Sequence, residues 1–486
     1  MRQNPCGARL IADFPTQNLP YFFCAYLLNP LSSESESYNE RKRLKSPEGG
    51  MTKAREAKKT VQCVDTYSEL YKDIFPEVRA YEAFKYIITG ILSDIKRKSL
   101  PAIASLLGLD NEQGLLHFIT DSPWELKKLE ERRLNIILEI LEGRGIMAIV
   151  DETGDRKKGS KTDYVKRQYI GNVGKLDNGI VSVNVYGYID GVTFPLKSKV
   201  YKPRERLKEG DKYKTKPELA AEMIKELEES GFKITRVLAD SLYGESQCNF
   251  ISTADELEIE YAVSIRSNHG VWLPKGARVR TNKWRRFDHK KWDGKLENRY
   301  IREIVYGKKG LTRYWEIKTE EEKEKDKDGW FVMTKIPNIK YKEVGGIYGI
   351  RAWIEYGFKQ CKSELGWSDF RFTHHEQIEK WWELIMCAYL MVCLYEENLN
   401  STLNPVPKQH ENHIEWTQEG GWKTKLNNLR LVIHILDTIN FLKKWLKVFP
   451  LANLLNELMK LFNKINKLDR LKYLVNSWDL FCHSPP

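Results

Sequence analysis

Four residues in the second half of the chain carry side chains that could act together: Tyr348, Arg351, Glu355 and Lys362, within YGIRAWIEYGFKQCK. Their offsets are 0, 3, 7 and 14. On a 3.6-residue period these fall near one line along a helix, so the spacing predicts a helix over 348–362 with one polar stripe. The stripe holds a ring, two cations and one carboxylate, while Trp353, Ile354 and Cys361 point elsewhere and can pack. Such a face suits an anionic ligand, with the acid left for a metal. A solvated face carrying charged i,i+3 and i,i+4 pairs is the plain alternative.

Two further acids follow apolar runs that read as strands. Asp151 ends the run in GIMAIVDETG, and Asp240 ends the run in ITRVLADSLYGE. A carboxylate at a strand end is rigidly placed at the sheet edge, where sites of α/β proteins gather. Two such aspartates and Glu355, converging from two strands and a helix, can hold two divalent cations, and hard oxygen ligands suit Mg2+ or Mn2+. Such a pair of ions activates a water or hydroxyl and stabilises the leaving oxygen of an in-line phosphoryl displacement. Either aspartate alone reads equally as a turn or helix cap. Glu152 and Asp155 compete with Asp151 for the role, and Asp255 lies in the second region.

The elements that must position these acids form a mixed α/β pattern. Residues 60–142 carry apolar residues at helical spacing, with a glycine turn at Leu107–Leu109 that fits either a helix-turn-helix or plain helical packing. From Gly145 the pattern is strand, strand, strand, helix, strand, helix, strand. Residues 268–345 read as a β-rich insertion containing Trp272, Trp284, Trp292 and Trp315. Beyond Lys362 the pattern is helical. The expected organisation is a polar extension over 1–50 with Met51 as the natural start, helices over 51–143, the first part of the core over 144–267, the insertion over 268–345, the end of the core over 346–400, and a helical region over 401–486.

Composition narrows the class. The 486 residues are 41% hydrophobic, enough for a sizeable core, and carry a formal net charge of +12 with 14 Trp and 24 Tyr. Basic side chains bind phosphates and rings stack on bases, so a polyanion partner fits. The eight cysteines include no CxxC pair, so zinc ribbon and redox motifs are excluded. The longest apolar run, Leu384 to Tyr395, is too short to span a bilayer and reads as a buried helix. No signal peptide is evident, and a cytoplasmic protein is expected, at the nucleoid when on DNA. Two basic clusters could track a DNA backbone or face solvent: Arg156, Lys157, Lys158 and Lys161, and Lys202, Arg204, Arg206 and Lys208.

Together these residues resemble the insertion-sequence transposases of the DDE class, in the branch defined by a Tyr-x2-Arg-x3-Glu-x6-Lys signature. Tyr348, Arg351, Glu355 and Lys362 match it at every spacing. DETGDRKKGSKTDYVKRQYIGNVGK resembles the first-acid region, LADSLYGES the second, and SLLGLDNEQGLLHFITDSPW the N-terminal part. The likeness covers roughly 60–440. Glu152 and Asp155 depart from the neutral loop expected there. The resemblance implies a ribonuclease-H-like core with a β-strand insertion before the third acid's helix, and an N-terminal DNA-binding domain. Asp151, Asp240 and Glu355 would bind two metal ions. Tyr348, Arg351 and Lys362, with Lys157 and Lys158, would contact double-stranded DNA, both transposon ends and target, and the insertion's tryptophans are candidates to hold a flipped base. Two ends to be cut make a homodimer on DNA the expected assembly. Two rivals stay open: a metal-dependent nuclease of the same core without strand transfer, and a domesticated, non-catalytic DNA-binding protein.

Overall fold

The computed structural model describes residues 55–395, except 172–173, 274, 291–295, 309 and 325–328, and residues 421–448. The expected extension over 1–50, Trp292, and the apolar helical pattern beyond residue 448 lie outside the described residues.

Five helices come first: α1 (Gln62–Glu69), α2 (Val78–Leu92), α3 (Leu100–Leu106), α4 (Gln113–Thr120) and α5 (Leu126–Leu141). Four strands follow: β1 (Ile146–Arg156), β2 (Lys166–Ile170), β3 (Lys175–Ile189) and β4 (Val192–Val200). Helix α6 (Lys216–Glu229) opens with Pro217 and a capping box between Thr215 and Glu218, which satisfies its first free N–H groups. Then come β5 (Ile234–Ala239), the short helices α7 (Ser241–Gly244) and α8 (Ser252–Glu256), and β6 (Glu260–Ile265). The insertion adds β7 (Val279–Thr281), β8 (Arg285–Lys290), β9 (Leu296–Tyr306), β10 (Thr312–Thr319), α9 (Glu320–Glu324) and β11 (Trp330–Lys335). The chain continues through α10 (Tyr341–Ile350), α11 (Trp353–Lys359), α12 (His375–Leu394) and α13 (Trp422–Val448).

All eleven strands join one mixed sheet, ordered β2-β3-β1-β5-β6-β11-β10-β9-β7, with β4 on β3 and β8 on β9. β1, β5 and β6 are parallel neighbours, and β3 is antiparallel to β1. β11 pairs antiparallel with β6, so the insertion extends the main sheet. Its residues Phe287, Ile301, Trp315 and Val332 share a core cluster with Ile149, Leu238 and Ile354.

The structure corrects two sequence expectations. First, Asp151 does not end its strand. The polar run DETGDR reads as loop, yet β1 continues to Arg156 because β3 pairs with it as far as Arg156–Gly179. Only the parallel pairing with β5 stops, at Val150–Ala239. Second, 348–362 is not one regular helix. It comprises the end of α10, a tightened junction, α11 and a π-helical turn over Gln360–Glu364. At the junction the amides of Arg351, Ala352 and Ile354 bond three residues back rather than four. Helix α10 also begins at Tyr341, earlier than expected, because Gly345, Gly346 and Gly349 mask its signal with their poor helix propensity.

Helix α12 is buried along most of its length. It packs on β4, α2 and α5, which joins the N-terminal helices to the sheet. Among the described residues no helix is long and apolar enough to cross a membrane.

Candidate active site

The site forms where β1 and β5 part. Val150 is paired with Ala239, so the next residues, Asp151 and Asp240, emerge side by side. Asp240 caps α7, its Oδ1 accepting the Leu242 amide at 2.9 Å. Asp151 Oδ1 accepts the Glu152 amide at 2.8 Å. Burial pushes the Asp151 carboxyl up to about 7; Arg351 opposes this, while Asp240 and Glu152 add to it. Burial likewise raises Asp240, with the charge of Glu152 next in weight. Two half-buried carboxylates side by side therefore lack enough positive charge.

Arg351 supplies part of it. Its Nη1 donates to Asp151 Oδ2 at 3.3 Å, and its Nη2 lies 3.7 Å from Glu355 Oε1. Tyr348 is beside it, with the guanidinium 5.9 Å from the ring centre. The expected quartet is thus split: Tyr348 and Glu355 flank Arg351, which reaches Asp151, whereas Lys362 reaches a different part of β1. Lys362 Nζ donates to the Gly154 carbonyl at 2.7 Å and lies 2.9 Å from Asp155 Oδ1. Successive strand residues rise about 3.3 Å, so Asp151 and Asp155 are about 13 Å apart on one face, close to the ~16 Å that eleven helical residues span from Arg351 to Lys362. The 348–362 segment therefore runs along β1. Gly357 permits its close approach, since a Cβ there would come 2.3 Å from Tyr186 Cε1 in the buried core.

Glu355 stands apart from the aspartates. Its side chain is 62% exposed, against 15% for Asp151. Among the described residues no three His, Cys, Asp or Glu side chains are grouped closely enough to hold one metal ion. The half-buried aspartate pair nevertheless fits a divalent cation, because it offers hard oxygen donors whose mutual repulsion a cation relieves. Glu355 could complete such a set only by turning inward past Arg351.

The two acids that departed from the expected loop have partners of their own. On the opposite face of β1, Glu152 accepts from Lys216 Nζ at 2.9 Å and from the Tyr243 hydroxyl at 3.0 Å. Asp155 is buried and holds Lys362. The period-two alternation of a strand would have placed Asp155 on the face of Asp151, had the polar run been read as strand.

Of the basic residues, Lys158 is exposed, and Lys157 lies 3.4 Å from the centre of the Phe370 ring. Burial lowers the Lys157 ammonium to about 8. Arg156 pairs with Asp177 at 2.9 Å. In the second cluster, Lys202 pairs with Asp211 at 2.7 Å, Lys208 with Asp163 at 2.6 Å, and Arg204 stacks on Tyr213. Of the insertion tryptophans, Trp315 is core, Trp284 lies under Arg302 at 4.4 Å, and Trp272 is 98% exposed.

Known proteins share this arrangement of sequence. Residues 71–298 match the DDE superfamily endonuclease family, and residues 210–391 match the transposase DDE domain. A probable transposase for insertion sequence element IS701 from Microchaete diplosiphon is 56% identical over 345 residues, which is 71% of this chain and 91% of that relative. A likeness of that depth over nearly the whole relative, beside family matches whose ranges take in Asp151, Asp240 and the signature helices, shows that the chain belongs to the insertion-sequence transposases of the DDE endonuclease superfamily.

Proposed function

We propose that this transposase binds the inverted-repeat ends of its element as double-stranded DNA, cuts them by metal-assisted phosphoryl transfer, and joins the freed 3′ ends to target DNA. The observation that carries this reading is the half-buried Asp151–Asp240 pair beside Arg351. The mixed sheet, extended by an insertion that precedes the third acid's helix, supports a ribonuclease-H-like core.

Asp151, Asp240 and Glu355 would hold two Mg2+ ions, or Mn2+ in their place, which would supply the charge that activates the attacking oxygen and stabilises the leaving one. The protein's own contribution is positioning. Asp240 is held by its cap bond and Asp151 by the strand, so neither needs to be ordered during the reaction. Arg351 is a fork-shaped cation beside the acids, suited to a phosphate oxygen, and Tyr348 offers a ring and a hydroxyl next to it. Lys362, Lys157 and Lys158 continue positive charge along β1, with Lys158 free to meet a backbone phosphate. Since an element has two ends, two chains on DNA belong to this reading.

The test is a cleavage assay with labelled DNA carrying the gene's own flanks, in Mg2+ or EDTA. Cuts at fixed terminal positions that need metal, followed by joining to a second DNA, are expected. Asp240→Ala should lower cleavage by at least about 10^3-fold and leave DNA binding intact. Retained cleavage in that variant defeats the metal assignment. Cutting without joining would point to a nuclease, and binding without any cut to a domesticated protein.

A further inference from the structure

Asp155 has no part in the chemistry above, yet its surroundings are built. It lies on β1 beyond Asp151, on the same face, and is 3% exposed. Its Oδ1 is 2.9 Å from Lys362 Nζ and accepts the Ser368 hydroxyl at 2.6 Å. The Lys362 ammonium also donates to the Gly154 carbonyl at 2.7 Å. An ammonium has three donors, and this one directs two at adjacent residues of one strand. The lysine side chain is 16% exposed, so most of it is held against the protein while part still meets solvent.

We infer that Asp155 is the positioning residue of Lys362, fixing its ammonium on β1 with one N–H left to donate to a DNA phosphate oxygen. The phosphate half of this inference rests on the reading of Lys362 as a DNA contact. A lysine on an open surface loses its rotamer freedom when it binds a phosphate; Lys362 has already lost it. The neighbouring carboxylate offsets much of the ammonium's charge, so long-range attraction is exchanged for a directed bond. The π-helical turn over Gln360–Glu364 is part of the same device, because it carries Lys362 at the place where the helix lies against Gly154 and Asp155. π-turns gather at functional sites for this reason: they re-aim one side chain without ending the helix.

The first readout needs no DNA. The full chain is treated with an amine-acetylating reagent, and Lys362 and the exposed Lys158 are followed by peptide mass spectrometry. Lys362 in the parent protein should react about tenfold more slowly than Lys158. Asp155→Ala should raise its rate severalfold. Asp155→Asn, whose carbonyl still accepts from the ammonium, should raise it less, and this variant serves if the alanine protein does not fold. The second readout is affinity for the terminal DNA. Asp155→Ala and Lys362→Ala should each weaken it about tenfold, and the double variant no further, because both remove one placed donor. Unchanged acetylation of Lys362 in Asp155→Ala and Asp155→Asn overturns the inference, as do additive losses in the double variant. A shift in acetylation with no change in affinity for either single variant leaves the hold standing and overturns the end-contact reading of Lys362 instead.

Discussion

Among the arginine–carboxylate pairs of the described residues, two are built in opposite ways. Arg133 of α5 is fully buried against Glu383 of α12. Its Nε donates to Oε1 at 2.5 Å and its Nη2 to Oε2 at 3.0 Å, while Nη1 and Nη2 also donate to the Pro195 and Leu196 carbonyls, both at 2.9 Å. All three nitrogens are used, and the pair ties helix, strand and helix together. Arg351 meets Asp151 through one 3.3 Å contact and faces Glu355 at 3.7 Å. Burial pushes both carboxyls, Glu383 and Asp151, to about 7, so the direction of that shift does not distinguish them. What differs is saturation. A bidentate pair with its spare donors on carbonyls has nothing to gain from a new partner. A pair with one long bond and two further carboxylates nearby has much to gain from added positive charge, and it can change partners cheaply. The first fixes the fold and the second leaves capacity for chemistry.

The largest effect on stability should therefore come from breaking the saturated pair. Arg133→Ala leaves Glu383 buried without its cation and two carbonyls without a donor, which should cost about 3–5 kcal/mol. In a chain of this size that is a fall in Tm of roughly 3–6 °C by calorimetry. Replacing both partners, as Arg133→Met with Glu383→Leu, should restore a good part of the loss because no charge is then left unpaired. If the single variant melts within about 2 °C of the parent, the pair is not the tie described here.

A smaller effect, of opposite sign, is expected at the acids. Asp151 has a folded value of about 7 against an ordinary 3.8. Between those values the unfolded chain has released the proton and the folded chain keeps it, so rising pH lowers stability through this window. Asn carries no such proton. In EDTA, Asp151→Asn should match the parent near pH 4, gain several degrees in Tm by pH 7, and hold that gain above it. A constant difference from pH 4.5 to 8 would remove the case that the pair is short of positive charge.

That Asp151 and Asp240 meet was legible because each directly follows an apolar strand core, and β1 and β5 are neighbours. The signature spacing was legible as chemistry and only partly as geometry. Helical periodicity assumes a regular helix, and here a tightened junction and a π-helical turn intervene. Strand β4 was not read at all. Its sequence, VTFPLKSKV, contains Pro195 and two lysines, and in the sheet Pro195 sits beside a register shift while Lys197 and Lys199 both bond Glu226 of α6. A polar strand of this kind is made by its neighbours. The same holds for Lys202 and Lys208, whose acids Asp211 and Asp163 are brought to them by the fold. Charge runs can be counted in a sequence, but which charges remain free is a tertiary property.

The smallest effect on stability sharpens the contrast most. Arg351 sits at the candidate site's centre, yet its one long bond gives it little hold on the fold. Arg351→Gln removes the charge and keeps much of the length. When it is removed at neutral pH, Asp151 can retain its proton instead of standing as a bare buried charge, so the usual penalty for breaking a buried pair is largely avoided. The expected cost is about 1 kcal/mol or less, a shift in Tm of about 1 °C. Cleavage of terminal DNA by the same variant should fall by about 10^2-fold, since a cation beside the reacting phosphate acts where charge develops. Arg133→Ala, assayed well below its melting temperature, should show the reverse pattern: a large stability loss with cleavage close to the parent's. A fall in stability for Arg351→Gln as large as for Arg133→Ala would mean that both arginines serve the fold, and the distinction between saturated and unsaturated pairs would then say nothing about function.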